Sequence, residues 1–178
     1  MDAHRAVVLN NLSKALSDLG RQSMAICRDG MNLRRVLVEE VPLAYSYNTL
    51  ALLNDDQGRY EDAQVLAAKA IAYFRRADNL RGIGLASLQL AESLRHLAVR
   101  TEAGETVLTT AEGLYSTAEE LLREALGIFE DSGELIRLIE VTIELGSLYR
   151  DRLRSWKVQA LYTGGLISEK RTLIWTVR

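Results

Sequence analysis

The sequence predicts an all-α fold of stacked antiparallel helix pairs. Leu, Ala, Glu and Arg dominate its 178 residues, and all four are strong helix formers. Pro42 is the single proline, which favours long helices over a turn-rich β fold. Hydrophobic residues make up 48% of the chain, which is enough to build a core and argues against wholesale disorder. Along most of the chain, apolar residues recur at i, i+3/i+4 spacing.

The first two predicted helices cover residues 6–19 and 22–37. Leucines at helical spacing define the first helix, and Gly20 ends it. Gly30 lies inside the second helix, where glycine costs roughly 1 kcal/mol relative to alanine. A break at Gly30 is therefore one alternative for this stretch.

The third and fourth predicted helices form the clearest corner in the chain. Pro42 suits the first turn of a helix over residues 42–56. Gly58 can adopt the left-handed backbone that ends a helix, and the next helix covers residues 60–77. One face of that helix carries a stripe of small residues, which allows another helix to approach closely: Ala63, Ala67 and Ala70.

The fifth predicted helix spans residues 80–99 and is apolar on more than one side, so we expect it to be central. The next stretch is rich in Thr and Gly, and it predicts an inserted loop near residues 100–111. Ser116 and Glu119 have the spacing of a capping box and predict the start of a sixth helix over 116–130.

Two further helices are predicted over residues 134–151 and 153–162. Gly164 and Gly165 follow the second of them. Residues 163–178 mix β-branched and aromatic residues, and they are expected to cap the array or to pack on a neighbouring chain.

A two-helix unit recurs along the chain. The first helices align at Leu50-Ala51, Leu90-Ala91 and Leu145-Gly146. In the second helices, Ala63 and Ala70 correspond to Ala118 and Ala125. Together with Gly58 and Tyr60, these positions resemble the tetratricopeptide repeat family, most closely between Gly58 and Ala70. The spacing departs from the family's 34 residues, as in divergent long repeats of bacterial signal-transduction NTPases and transcriptional activators.

The resemblance implies a right-handed superhelix of about four helix pairs over residues 1–162. It also implies that the first helix of each pair lines a concave face, where family members usually bind peptides. The positions carried over to that face are Asn10, Lys14, Asn48, Thr49, Leu52, Asp55, Leu85, Gln89, Glu92, His96, Glu140, Glu144 and Ser147. The carboxylate-clamping set of some members, Lys-Asn-Asn-Lys-Arg, is mostly absent at the corresponding positions.

Two functions follow from this interpretation. The first is a protein–protein interaction scaffold. Because the predicted lining carries more acid than base, its partner would be a peptide or helix with basic and apolar residues. The second is a ligand-sensing or autoinhibitory segment of a larger bacterial signalling or transcription regulator. A pocket closed by the inserted loop would favour sensing, and an open groove would favour peptide binding.

Enzyme chemistry is not predicted, and neither a cofactor nor a metal is expected. The chain has no P-loop, no H-E-x-x-H and no C-x-x-C pattern. Cys27 is the single cysteine and is expected to be a buried small hydrophobe. His96 is expected to be a solvated or capping residue near a helix end. Glu140 and Glu144 share a helix face, but a solvated surface is the favoured interpretation.

Charge and hydropathy limit the partners further. The net charge is −2 and the pI is about 5.8, so direct binding to nucleic acid is not predicted. No run of apolar residues is long enough to span a membrane, and no signal peptide is recognised, so a cytoplasmic location is expected. An open repeat array exposes an apolar end, which predicts a homodimer through that end or through the C-terminal tail.

Overall fold

The computed structural model describes residues 2–15, 21–36, 40–102 and 108–162, and these residues form seven helices with no strand. The helices are α1 (Asp2–Ala15), α2 (Arg21–Val36), α3 (Glu40–Asp55), α4 (Tyr60–Arg76), α5 (Leu80–Glu102), α6 (Leu108–Ser132) and α7 (Leu135–Tyr162). The all-α prediction is confirmed. None of the described helices combines the length and apolar character needed to cross a bilayer.

Each helix packs against the next one in the chain, and α3 also contacts α1 and α5, while α5 contacts α7. The described residues therefore form three stacked pairs, α1 with α2, α3 with α4 and α5 with α6, followed by α7. This differs from the four pairs that the sequence predicted. Within the described residues α7 has no second helix of its own pair, because the seventh and eighth predicted helices are one continuous helix.

α7 runs unbroken because residues 151 to 153 contain neither glycine nor proline, so nothing interrupts the backbone hydrogen bonds. The prediction for α6 also needs correction, since this helix begins at Leu108 and Ser116 lies inside it rather than at its cap. The inserted loop is consequently shorter than predicted, because α5 extends to Glu102. Residues 103–107 and the tail 163–178 lie outside the described residues, and the domain boundaries remain a prediction.

Gly30 does not break α2. A Cβ atom at this position would lie 3.2 Å from the carbonyl oxygen of Ala6 and 3.2 Å from Cβ of Leu9, both on α1. The missing side chain thus lets the first two helices approach closely, and that contact offsets the low helix propensity of glycine.

Two phenylalanine rings pack the centre of the stack against the backbone of α5. Phe74 on α4 and Phe129 on α6 are both fully buried. A Cβ on Gly82 would lie 2.3 Å from the ring of Phe74, and one on Gly84 would lie 2.8 Å from the ring of Phe129. These glycines therefore serve helix packing and are not part of a nucleotide-binding loop.

The corner between α3 and α4 has the predicted geometry. Gly58 has a φ angle of 71°, and its N–H donates to the carbonyl of Asp55 at 2.8 Å. Arg100 on α5 donates to the carbonyl of Gly58 at 3.3 Å, which fastens the corner to the next pair. The small-residue stripe of α4 is fully buried: Ala63, Ala67 and Ala70.

Candidate binding groove

A groove of about 750 Å³ runs across the stack, and its lining comes from α1, α3, α5 and α7 with one residue from α2. The first helices of successive pairs lie side by side, so residues at equivalent positions converge on one surface. Nine of the thirteen predicted lining residues are found there: Asn10, Asn48, Thr49, Leu52, Leu85, Gln89, Glu92, Glu140 and Glu144.

Three of the other predicted residues do not line the groove, and the side chain of the fourth, Lys14 on α1, is outside the described residues. Asp55 and His96 form a hydrogen-bonded pair beside Glu92 and near the end of α3. Ser147 is partly buried on α7, outside the lining.

The charge balance of the lining differs from the prediction. Three arginines that the sequence analysis did not select, Arg34, Arg81 and Arg137, face the same groove as its three glutamates. Arg34 comes from the second helix of its pair, where the repeat pattern predicted no lining residue. Arg81 and Arg137 lie near the starts of α5 and α7, about one helical turn before the first positions carried over from the family on those helices, Leu85 and Glu140.

The three arginines already have partners within the chain. Arg81 pairs with Glu134 at 3.0 Å, and Arg137 pairs with Glu140 at 2.5 Å. Arg34 is buried, and its guanidinium donates to the carbonyl oxygen of Pro42 at 2.8 Å. The groove is therefore balanced in formal charge, with Arg81 and Arg137 compensated by glutamates and Arg34 donating to a neutral carbonyl.

Glu92 is the acidic residue without such compensation. No described residue forms a hydrogen bond or an ion pair with its carboxylate. Burial is the main cause that raises the pKa of Glu92 to about 7, and the neighbouring carboxylates of Glu144 and Asp55 act in the same direction, against the smaller lowering effects of His96 and Arg95. This carboxylate thus lies in a lining position where a cationic group would stabilise its charged form.

Glu144, the neighbouring acid, has a structural role instead. Arg95 on α5 donates to Glu144 and, at 2.9 Å, to Oδ2 of Asp151, both on α7. All three side chains are only 12% exposed, so these bonds are largely shielded from water. The prediction of a solvated Glu144 is wrong, since this residue ties α7 to the centre of the stack. Arg95 was missed because its partners lie about 50 residues away in sequence.

His96 also differs from its predicted role. It lies within α5, where its Nδ1 is 2.7 Å from Oδ2 of the buried Asp55 and its Nε2 is 3.0 Å from Nη2 of Arg95. Since Arg95 can only donate, Nε2 accepts and Nδ1 carries the proton that is donated to Asp55. His96 is thus neither solvated nor a helix cap, and it links α3 to α5.

Asp55, Glu92 and His96 bring one candidate ligand atom each to within 4.8 Å of one another. A histidine and two carboxylates are suitable ligands for a divalent metal. Here, however, Nδ1 of His96 donates to Asp55 and Nε2 accepts from Arg95, so the ring has no free lone pair for a metal. We therefore interpret the cluster as a hydrogen-bonded pair, Asp55 with His96, beside a Glu92 carboxyl that forms no ion pair with a described residue.

Comparison with known families agrees with the corner at Gly58. Residues 43–77 match the sequence model of the tetratricopeptide repeat, a stretch that contains most of α3 and all of α4. No curated protein matches the chain. Tetratricopeptide repeats are typically non-catalytic modules that bind protein partners, and the match indicates no enzymatic family.

Proposed function

We propose that this protein is a non-catalytic interaction scaffold whose groove binds a peptide or helix with a basic residue flanked by apolar ones. The observation that carries the proposal is the uncompensated carboxylate of Glu92 in a groove between stacked helix pairs. A guanidinium or ammonium group placed there would replace the proton that Glu92 otherwise binds near neutral pH. Hydrogen bonds to charged groups contribute about 1.5–3 kcal/mol.

The rest of the lining suits the apolar part of such a segment. Leu52, Leu85 and Leu88 are partly exposed in the groove, and Ile143 is 64% exposed at its edge. Apolar surface contributes about 25 cal/mol for each Å² that a partner removes from water. These side chains can therefore supply affinity, whereas Glu92 supplies selectivity for charge.

Amide groups in the lining favour a ligand with its own hydrogen-bonding groups. The side chains of Asn48 and Gln89 line the groove, and each has one atom without a hydrogen-bond partner among the described residues. Both atoms are shielded from solvent, so a ligand reaches them only when the Asn48 or Gln89 side chain turns toward the groove. A peptide backbone offers a donor and an acceptor at each residue and suits such amides.

Selection from a random peptide library on the immobilised chain tests the proposal. We expect the enriched peptides to share an Arg or Lys between apolar residues. Glu92→Gln should weaken their binding about tenfold, which corresponds to about 1.4 kcal/mol. Glu120→Gln is the matched control, because Glu120 is exposed on α6 outside the groove and should change nothing.

Two results would contradict the proposal. Enriched peptides without a basic residue would remove the assigned role of Glu92, as would equal affinities for the wild-type chain and Glu92→Gln. If no peptide bound while a small metabolite raised the Tm, the ligand-sensing alternative would be supported instead.

A further inference from the structure

Half of the large apolar side chains exposed on the described residues lie on one helix, α7. They are Leu135, Ile136, Ile139, Ile143, Tyr149, Leu153 and Trp156, with exposed fractions from 38% to 73%. Single exposed apolar residues are common on monomers, but a continuous row of this length marks an interaction surface.

Most of the row follows one face of α7, opposite the face that packs on α6, while the Tyr149 hydroxyl at its border donates to Glu119 on α6 at 2.8 Å. Val141, Leu148 and Ser155 are buried and recur every seven residues. On the other side, positions at alternating three- and four-residue steps form a second line along the helix: Ile136, Ile139, Ile143, Gly146, Arg150 and Leu153. Arg150 is the one charged residue in this line. This is the spacing of a helix that pairs with another helix along a seam.

We propose that this face, which we call the α7 seam, binds a second copy of the chain, with the two α7 helices antiparallel and crossing at Gly146. In that arrangement Ile139 contacts Leu153 of the partner subunit, and Ile143 contacts Tyr149 of the partner subunit. A two-fold axis through the crossing repeats each contact, as an isologous dimer requires. Glu140 and Ile143 also line the groove at its α7 edge, so the seam and the groove adjoin, but the tests below measure association of the chain without a groove ligand.

Charge decides between the antiparallel and the parallel arrangement. The second half of the seam is bordered by three exposed basic residues: Arg150, Arg154 and Lys157. The first half is bordered by Glu140, which precedes Arg154 by two seven-residue repeats and so lies on the same side of the seam, and which also pairs with Arg137 on its own helix. A parallel pair would place the basic residues against their own copies, whereas an antiparallel pair places Arg154 near Glu140 of the partner subunit.

Gly146 suits the crossing point. It lies midway between Glu134 and Lys157, and a Cβ built on it would meet nothing within 4 Å. Its side of α7 is therefore open, and the absence of a side chain lets a second helix approach closely. None of the described residues of the same chain occupies this space.

The mass of the full chain in solution, measured by sedimentation, is the first test, and we expect a dimer. Cysteine substitution then tests the geometry, since the native Cys27 is fully buried. Gly146→Cys should be joined into covalent dimers by a short thiol cross-linker. Ile136→Cys should not, because the two copies of position 136 would lie roughly 30 Å apart along the antiparallel pair.

A charge exchange tests the pairing without relying on cross-linking. Glu140→Arg and Arg154→Glu should each weaken the dimer, because each creates two repulsive contacts across the two-fold axis. An equal mixture of the two variants should restore dimers, since every such contact then joins opposite charges. Far-ultraviolet circular dichroism should show that both variants keep their helices, since both positions lie on the surface.

Three results would overturn the proposal. One is a full chain that stays monomeric at its highest soluble concentration. Another is a dimer that cross-links equally well at positions 136 and 146. The third is a chain that dimerises only after residues 163–178 are removed, because the tail would then be the occupant of the α7 seam.

Discussion

The ring of His96 on α5 is held between two charged groups, with Asp55 on α3 at 2.7 Å from Nδ1 and Arg95 at 3.0 Å from Nε2. The two contacts oppose each other. The hydrogen bond to Asp55 raises the pKa of His96, while burial and the charge of Arg95 lower it, and the net shift is upward. This histidine therefore stabilises the fold in a pH-dependent manner.

We expect Asp55→Asn to lower the pKa of His96, because the main cause of the upward shift is removed. A histidine whose pKa is raised on folding stabilises the native state fully below its unfolded value of about 6.5. That stabilisation disappears as the pH rises through the folded pKa. The loss of unfolding free energy in Asp55→Asn should thus be larger at about pH 5.5 than at about pH 8.5.

NMR titration of the His96 ring and urea unfolding at the two pH values provide the measurements. An unchanged titration curve in the variant would contradict the assigned contact with Asp55. A loss of stability in Asp55→Asn that is independent of pH would also contradict this contact.

Glu92 should make the free protein less stable as the pH rises. The pKa of this carboxyl is raised to about 7 on folding, so the native state binds a proton that the unfolded chain releases near its ordinary value of 4.5. The destabilisation is absent below the unfolded pKa, grows between the two values and is complete above about 7. Glu92→Gln should therefore be more stable than wild type at about pH 8, by roughly 1–3 kcal/mol.

Chemical unfolding at about pH 5 and about pH 8 tests this expectation, and the advantage of Glu92→Gln should nearly vanish at the lower pH. The exposed Glu120→Gln is again the control and should show no such pH dependence. A variant less stable than wild type at both pH values would show that Glu92 has a stabilising partner.

Replacing Arg95 by methionine should loosen α7. The change leaves the shielded Glu144 without its ion-pair partner and Asp151 with only the exposed Arg150, and breaking a buried ion pair costs about 3–5 kcal/mol. Arg75→Met is the matched control, because the Arg75–Glu124 pair is 56% and 37% exposed and such pairs contribute at most about 1 kcal/mol.

Hydrogen exchange followed by mass spectrometry can locate the effect of Arg95→Met. Loss of protection should appear first in α7, since Arg95 connects α5 to that helix. Equal costs for the Arg95 and Arg75 variants would contradict this role.

Two glycine-to-alanine changes should have opposite signs. Gly82→Ala places a methyl group against the ring of the buried Phe74 and should destabilise the protein by about 1–3 kcal/mol. Gly127→Ala on α6 meets nothing within 4 Å, so the better helix propensity of alanine should stabilise it by about 0.5–1 kcal/mol.

Thermal unfolding of the two variants compares them directly. The expected result is a lower Tm for Gly82→Ala and a higher Tm for Gly127→Ala. If the Tm values of both variants shifted in the same direction, the close contact between the Phe74 ring and α5 would not be what restricts residue 82 to glycine.

The sequence predicted the helices of the described region with two main errors, both at boundaries. α7 continues through residue 152 and α6 begins at Leu108, because tertiary packing extends helices beyond the positions where local capping signals occur. The corner at Gly58 was predicted well, since a left-handed glycine is a local requirement.

The groove was predicted less completely than the helices. Repeat spacing placed nine lining residues, because equivalent positions in stacked pairs face the same side. The sequence did not predict the arginines. It also did not predict that Glu144 forms an ion pair with Arg95 while Glu92 forms no ion pair with a described residue.

By itself, the sequence determined the helical class, the corner between α3 and α4 and the side of the stack that carries the groove. These features follow from backbone propensity and from the period at which apolar and small residues recur, and both act over short distances along the chain. Only the tertiary structure decided which charges are compensated. An ion pair such as that of Arg95 with Glu144 joins residues 49 positions apart, and desolvation of Glu92 depends on the helices packed around it.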